Sequence, residues 1–308
     1  MNIATPRLKK IALPCTLLLT TALASQVKAE EYVKTYTVTA QPTVRIRVDD
    51  SKVRVITSDT DQVEFRVTAE GFATINIGGK LRVDSQQNGN QVELTVRVSP
   101  GVMIGFSNKR LSTEVRMPKN ADLQLESGDG HVELSDLRGN IVVHTSDGAI
   151  KASQLSGSID LRSRDGDIDA ESLSGELKLH SADGKVRASH LDGKCDVSTS
   201  DGGIQVAGRF DALDIKSSDG AVNARAEPGS KMSADWSIKT TDGRVDMEVP
   251  KDLRANLDAS TRDGHISLGL PVSVEGELGK KTVHGTINGG GPTLSIRTGD
   301  GSIRLNGI

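Results

Sequence analysis

The feature that most constrains this chain is a short phrase repeated at a fixed interval. Ser127-Gly-Asp129-Gly130, Thr145-Ser-Asp147-Gly148, Ser163-Arg-Asp165-Gly166, Ser181-Ala-Asp183-Gly184, Thr199-Ser-Asp201-Gly202 and Ser217-Ser-Asp219-Gly220 follow one another at 18 residues every time. A period held this strictly marks a repeat architecture, in which each unit buries its apolar face against its neighbours. The phrase then loosens, through Asp242-Gly243, Asp263-Gly264 and Asp300-Gly301, and Thr282-Val-His284-Gly285 sets histidine in the aspartate's place. Ten copies result, six strict and four with insertions or a substitution.

Each unit reads Leu-x-Gly-x-φ-x-φ-x-(Ser/Thr)-x-Asp-Gly-x-φ-x-φ, where φ is aliphatic or alanine, as in Leu155 to Ala170. Alternation of apolar and polar residues gives strands with one dry and one wet face. Two folds accept such strands. Asp-Gly is a hairpin signal and suits an antiparallel meander. A meander of this length needs roughly twenty strands in one sheet, which open twisted sheets rarely sustain. A solenoid encloses its own apolar face. The expectation is therefore an all-β parallel β-solenoid, about 18 residues per coil, built as a flattened two-sheet coil with an N-terminal β section capping it. Stacking predicts three buried columns: Leu123, Ile141, Ile159, Leu177, Cys195 and Leu213; Leu125, Val143, Leu161, Leu179, Val197 and Ile215; and Val132, Ile150, Ile168, Val186, Ile204 and Val222. A three-sided hexapeptide helix needs an aliphatic residue at every sixth position, and Leu155, Leu161, Asp167 breaks that rule. Aromatic content of 2% fits a core of small and branched aliphatics.

Three regions are expected. Residues 1–29 read as a signal peptide: Arg7, Lys9 and Lys10 precede a short apolar run, and Val27-Lys28-Ala29 offers a cleavage point after Ala29. Ala12-Leu13-Pro14 before Cys15 is a poor lipobox, and no later stretch reads as a membrane span. Residues 30–120 alternate with period two, as in Val44-Arg-Ile46-Arg-Val48, and are read as an antiparallel β section, with a loop or irregular edge from Pro100 to Leu111. Residues 121–308 carry the repeat. Cleavage leaves a net formal charge of −7 and one cysteine, Cys195. An intramolecular disulfide is then excluded, and no basic patch of the kind nucleic acid requires is present. Localisation is expected to be exported, in the periplasm, outside the cell or in the envelope.

Little in the chain looks catalytic. Stacked turns would line up Asp129, Asp147, Asp165, Asp183, Asp201 and Asp219 about 4.8 Å apart, a conceivable calcium ladder. The alternative is a structural turn, with Asp bonding its own backbone, Gly taking positive φ and the Ser/Thr hydroxyl bonding locally. The Gly-Gly-x-Gly-x-Asp phrase of calcium-binding β-rolls is absent. His144 and His180 share one outward position two coils apart, too far to share a metal, and no histidine pair has zinc-ligand spacing. No nucleophile elbow or His-Glu-x-x-His occurs. Outward pairs such as Arg162 or Arg164 with Asp160 or Asp167 could imitate a β-helical lyase, and read more simply as a solvated charged face. Cys195 sits mid-column and reads as a buried small hydrophobe. No catalytic residue, cofactor or resident metal is assigned.

The Ser/Thr-x-Asp-Gly-x-Ile/Val phrases, the lead-in Val115-Arg-Met117-Pro118 and Val249-Pro250 before Leu257 together resemble the bacterial DUF4097 family, also called the "putative adhesin" domain. The resemblance spans roughly residues 40–308. It implies a solenoid-like repeat domain and an adhesive role at the surface or outside the cell, and it brings no catalytic residues. The function expected is that of a non-enzymatic exported module whose partner is an envelope protein or a glycan. A polysaccharide-active enzyme and a scaffold joined end to end are the alternatives.

Overall fold

The computed structural model describes residues 30–70, 76–77, 81–98, 102–103, 110–274 and 279–308. The leader expected at 1–29, and most of the loop expected from Pro100 to Leu111, lie outside the described residues. Every regular element among the described residues is a β-strand. All but the short pair Asn76–Ile77 and Val102–Met103 join one coiled sheet.

The 18-residue period becomes a hydrogen-bonding register. Arg138–Thr145 lies parallel to Ser156–Ser163, which lies parallel to Ser174–Ser181, so that Ile141, Ile159 and Leu177 stand side by side. The row continues to Cys195 and Leu213. Beyond each turn, Val132–Ser135, Ile150–Ser153 and Ile168–Glu171 stack in the same direction. The antiparallel meander is therefore not the arrangement of the repeat. All three predicted columns are buried, Cys195 being the most exposed member at 4%. Burying each aliphatic side chain is worth roughly 1.5–3 kcal/mol.

A fourth buried column comes from the leucine opening each unit: Leu137, Leu155, Leu173 and Leu191. The residue before each is left-handed, Asp136, Gln154, Ser172 and His190 having φ between 54° and 58°. That conformation turns the chain at a corner and aims the next side chain inward. The glycine two residues further on also has positive φ, 118° at Gly175.

The Asp-Gly turn works differently from the expectation. Its glycines are not in the left-handed region. They are required by the stacking: a Cβ on Gly166 would lie 2.2 Å from the carbonyl oxygen of Gly148 in the coil below. The hydroxyl role holds. Ser163 Oγ accepts from the Gly166 amide at 2.9 Å and donates to the Gly148 carbonyl at 3.2 Å. Thr199 and Thr298 repeat both bonds.

Both ends depart from chain order. In the N-terminal region, Thr43–Val48 is parallel to Asp122–Ser127 on one side and to Gln91–Val98 on the other. Lys52–Ser58 is likewise parallel to Val132–Ser135 and Arg110–Pro118. Two further parallel layers thus extend the stack, where an antiparallel section was expected. Antiparallel pairing in this region involves the outer strands Leu81–Asn88, Gln62–Glu70 and Glu30–Thr37 and the separate pair Asn76–Ile77 with Val102–Met103. Period-two alternation specifies a half-buried strand and leaves the direction of its partner open.

At the C-terminal end, Thr293–Thr298 lies between Trp236–Thr240 and Ala255–Thr261, parallel to both. Ile303–Gly307 is likewise held between Val245–Val249 and Ile266–Gly269. The later coil carries Leu294, Ile296, Ile303 and Leu305, all at most 1% exposed, whereas Ile266 and Leu268 of the outer coil are only partly buried. The more apolar coil takes the position covered on both sides. The His284 copy forms no coil: Thr282–Ile287 is one strand, antiparallel to Ala255–Thr261.

Candidate binding groove

The second wall of short strands presents two outward columns. By register the first runs Glu114, Arg54, Glu133, Lys151, Asp169, Arg187, Gln205, Asn223, Asp246, Arg304. Its charge alternates in sign from Glu114 to Arg187. Alternation keeps like charges from standing directly opposite one another, where they repel, although another row of the sheet does set Asp196 beside Asp214. The alternation forms ion pairs: Arg54 to Glu133 at 2.9 Å, Arg187 to Asp169 at 2.9 Å and Arg304 to Asp246 at 3.4 Å. Hydrogen bonds from Lys52 and Arg54 hold the Glu133 carboxyl below its ordinary range. These pairs are solvent-exposed and contribute at most about 1 kcal/mol each. They leave most of the wall's charge paired, Lys151 and Glu171 being without an ion pair among the described residues.

The alternation stops at Gln205 and Asn223, two amides side by side. The neighbouring column holds small residues here, Ser153, Ser189 and Ala207, flanked by Glu171, Arg225 and Glu248. Small side chains beside longer ones leave an open groove of about 560 Å³, lined from Lys151 to Glu248 across six strands. At strand spacing it runs roughly 24 Å along the stack. Most of its charged members pair internally: Arg187 reaches Asp167 at 3.0 Å as well as Asp169, Arg225 binds Glu248 at 3.1 Å, and Asp246 is bound by Arg244 at 2.7 Å, while Lys151 and Glu171 make no ion pair among the described residues. What remains free to a ligand is the Lys151 ammonium, the Glu171 carboxylate, the amides of Gln205 and Asn223, the hydroxyls of Ser153 and Ser189, and apolar surface between them.

The turn aspartates are lined up on the surface and do not bond their own turns. Asp147 accepts from Arg164 at 2.7 Å, which also lies 3.4 Å from Asp165. The carboxylates of Asp129, Asp183, Asp201 and Asp219 make no hydrogen bond or ion pair among the described residues, whereas the amides of Asp183, Asp201 and Asp219 bond to the coil below. Among those residues no group of three or more His, Cys, Asp or Glu is arranged to hold a metal ion.

The histidines are scattered. His144 and His180 flank Arg162 in one row. His180 Nδ1 meets Ser198 Oγ at 2.5 Å, and burial pushes its pKa below the ordinary value. His131 accepts from the Ala149 amide, His265 meets Ser302, and His284 lies 3.3 Å from Asp258. Arg162 is bidentate on Asp160. Cys195 is buried, and desolvation pushes its thiol up to about 12. Phe210 and Trp236 pack edge to face at 6.2 Å inside the core, and Phe65 is buried too, so none of these three forms a surface platform. The groove itself was missed from sequence. Its signal was present: reading every eighteenth residue three places after each Asp-Gly pair gives the alternating column.

These features define an all-β repeat protein whose sheet is coiled and whose outer wall carries a charge-balanced groove. The profile of the Toastrack DUF4097 family matches residues 43–306, and the chain belongs to that family. Similar solved structures include a "putative adhesin" from Parabacteroides distasonis, 12% identical, covering 90% of this chain and 97% of that one at TM-score 0.49. A "putative adhesin" from Bacteroides fragilis is 10% identical, covering 91% and 97% at TM-score 0.40. A "putative lipid binding protein" from Parabacteroides distasonis is 11% identical, covering 89% and 96% at TM-score 0.39. No curated protein matches the chain. Among the described residues no helix is long and apolar enough to cross a membrane.

Proposed function

We propose that this is an exported, non-catalytic binding protein of the cell envelope, built as a flattened two-sheet parallel solenoid of about 18 residues per coil. It holds an extended glycan along its second wall. The observation that carries this reading is the groove: long, open, balanced in charge and centred on the amides of Gln205 and Asn223. A polymer lying along the stack meets the same pair of columns at every coil, so modest contacts sum along its length. Amide and hydroxyl groups recognise sugar hydroxyls by hydrogen bonding. Pairing of Arg187 with Asp167 and Asp169, and of Arg225 with Glu248, disfavours capture of a polyanion and leaves Asp169 and Glu248 poorly placed for acid–base work, as pairing with Arg244 and Arg304 does for Asp246. Lys151 and Glu171 are the two groove charges left without an ion pair among the described residues.

The test is a binding panel of neutral and anionic envelope polysaccharides against residues 30–308, with Gln205→Ala/Asn223→Ala as the paired variant. Retention of a neutral glycan, weakened at least tenfold in the variant, is expected. Absence of binding to every polysaccharide, or binding indifferent to the substitution, refutes the reading. Release of new reducing ends would show an enzyme instead.

A further inference from the structure

We propose that the C-terminal strand pair, Thr293–Thr298 with Ile303–Gly307, exchanges between two copies of this chain, each copy filling the other's slot. The slot is defined by register. Its lower edge is Trp236–Thr240 and Val245–Val249, its upper edge Ala255–Thr261 and Ile266–Gly269, and the pair bonds to both. Both edges come from chain that precedes the pair, so the slot exists before its occupant is made.

The slot selects this sequence and one register. Thr298 donates to the Gly243 carbonyl below at 2.8 Å, while Thr261 above donates to the Gly301 carbonyl at 2.7 Å, so the pair completes the chain of turn hydroxyls. On the surface Arg297 meets Asp258 at 2.7 Å, Asp300 meets Arg262 at 2.6 Å and Arg304 meets Asp246 at 3.4 Å, tying the pair to both edges. A one-residue slip would reverse every side chain and break all three ion pairs. The fitting occupant is therefore the same segment, from its own chain or from a second copy.

The connection is a hinge. Asn288, Gly289 and Gly290 all have positive φ, at 49°, 81° and 84°, and Gly291-Pro292 follows. Anchoring of Asn288 Nδ2 on the Lys251 and Leu253 carbonyls, at 2.7 and 2.8 Å, fixes the point from which the pair swings. Contacts within the slot are the same whether the pair is donated within a chain or between chains. Only the hinge differs, which is the condition for domain exchange.

Cross-linking tests this. Ser237 and Ser295 are register partners on facing strands. In a Cys195→Val background, one chain carries Ser237→Cys and another Ser295→Cys. The two are mixed at high concentration, warmed to the onset of unfolding and cooled under mild oxidation. The expected result is a reducible dimer whose mass-spectrometric linkage joins position 237 of one chain to 295 of the other. Placing both substitutions in one chain should close the bond internally and abolish exchange with added single variants. Closure in the double variant with no cross-chain linkage in the mixture overturns the proposal. A cysteine-free measurement stands beside it: deleting Gly290 and Gly291 shortens the hinge, which favours exchange. Light scattering should then show a dimer, and a folded chain that stays monomeric overturns the proposal as well.

Discussion

Replacing Gly166 with alanine tests whether close stacking, rather than backbone conformation, demands glycine after each turn aspartate. The added Cβ would lie 2.2 Å from the Gly148 oxygen, 2.5 Å from its carbonyl carbon and 2.8 Å from the Ala149 nitrogen. An acceptable carbon–oxygen contact is about 3.3–3.6 Å, so the two coils must separate locally by roughly 1 Å. The bonds from the Arg164 and Asp165 amides to the Ser146 carbonyl, now 3.0 and 2.9 Å, would then stretch out of range, as would Ser163 Oγ to Gly148 at 3.2 Å. Three lost bonds at about 1 kcal/mol each, with an overpacking cost of about 1–3 kcal/mol, predict a loss of about 4–6 kcal/mol. Gly203→Ala is the control. It is one residue past an Asp-Gly pair, its φ is not left-handed, and its Cβ would meet only the Ala221 oxygen at 3.5 Å. Alanine there should be neutral or stabilise by about 0.4–1 kcal/mol through the unfolded chain. Urea unfolding of both variants beside the parent decides the matter. Equal midpoints, or a loss under about 1 kcal/mol for Gly166→Ala, would refute the stacking argument.

Ser163→Ala should cost about 1–3 kcal/mol in the same assay, since the buried Gly166 amide and Gly148 carbonyl both lose their partner. Ser163→Thr should stay near the parent, because threonine makes both bonds at position 199. Ser172→Gly relieves a left-handed serine at a φ of 58°, costing about 1–2 kcal/mol against a glycine penalty of about 0.5–1. A net gain of about 0.5–1 kcal/mol is expected in the urea midpoint, and none appears if the corner is unstrained. Cys195 gives an alkaline limit. Below its ordinary value of 9.0 the thiol is protonated folded and unfolded, so it adds no pH dependence. Between 9.0 and about 12 only the unfolded chain releases the proton, so stability falls by about 1.4 kcal/mol per pH unit. Cys195→Val should remove that slope from pH-dependent unfolding, and an unchanged slope would contradict a buried, protonated thiol.

Within the strict repeat, the sequence was legible to the level of single side chains. An interval of 18 between identical phrases admits few stackings, and alternation assigns each residue a face, so Ile159, Leu177 and Cys195 were placed in one column before any coordinate. The serine and threonine hydroxyls were read correctly in nine of the ten copies, where each bonds at its turn; Thr282 of the His284 copy lies in an antiparallel strand and has no such bond among the described residues. The glycines were read for the wrong reason. A glycine after aspartate signals a turn, but only the distance to the coil below shows that the missing Cβ matters more than φ.

Sequence alone determined the strand content, the period and the inward faces, since these follow from local alternation and from repetition. The tertiary structure decided which coil lies next to which. Trp236–Thr240, Ala255–Thr261 and Thr293–Thr298 carry the same alternation and the same threonine, so any order satisfies their pattern. Their differing apolar content and surface charges, weighed against every neighbour at once, put the last coil in the middle. The groove is a tertiary product for the same reason: Gln205 and Asn223 are 18 residues apart, and only their lateral pairing makes one amide surface of them.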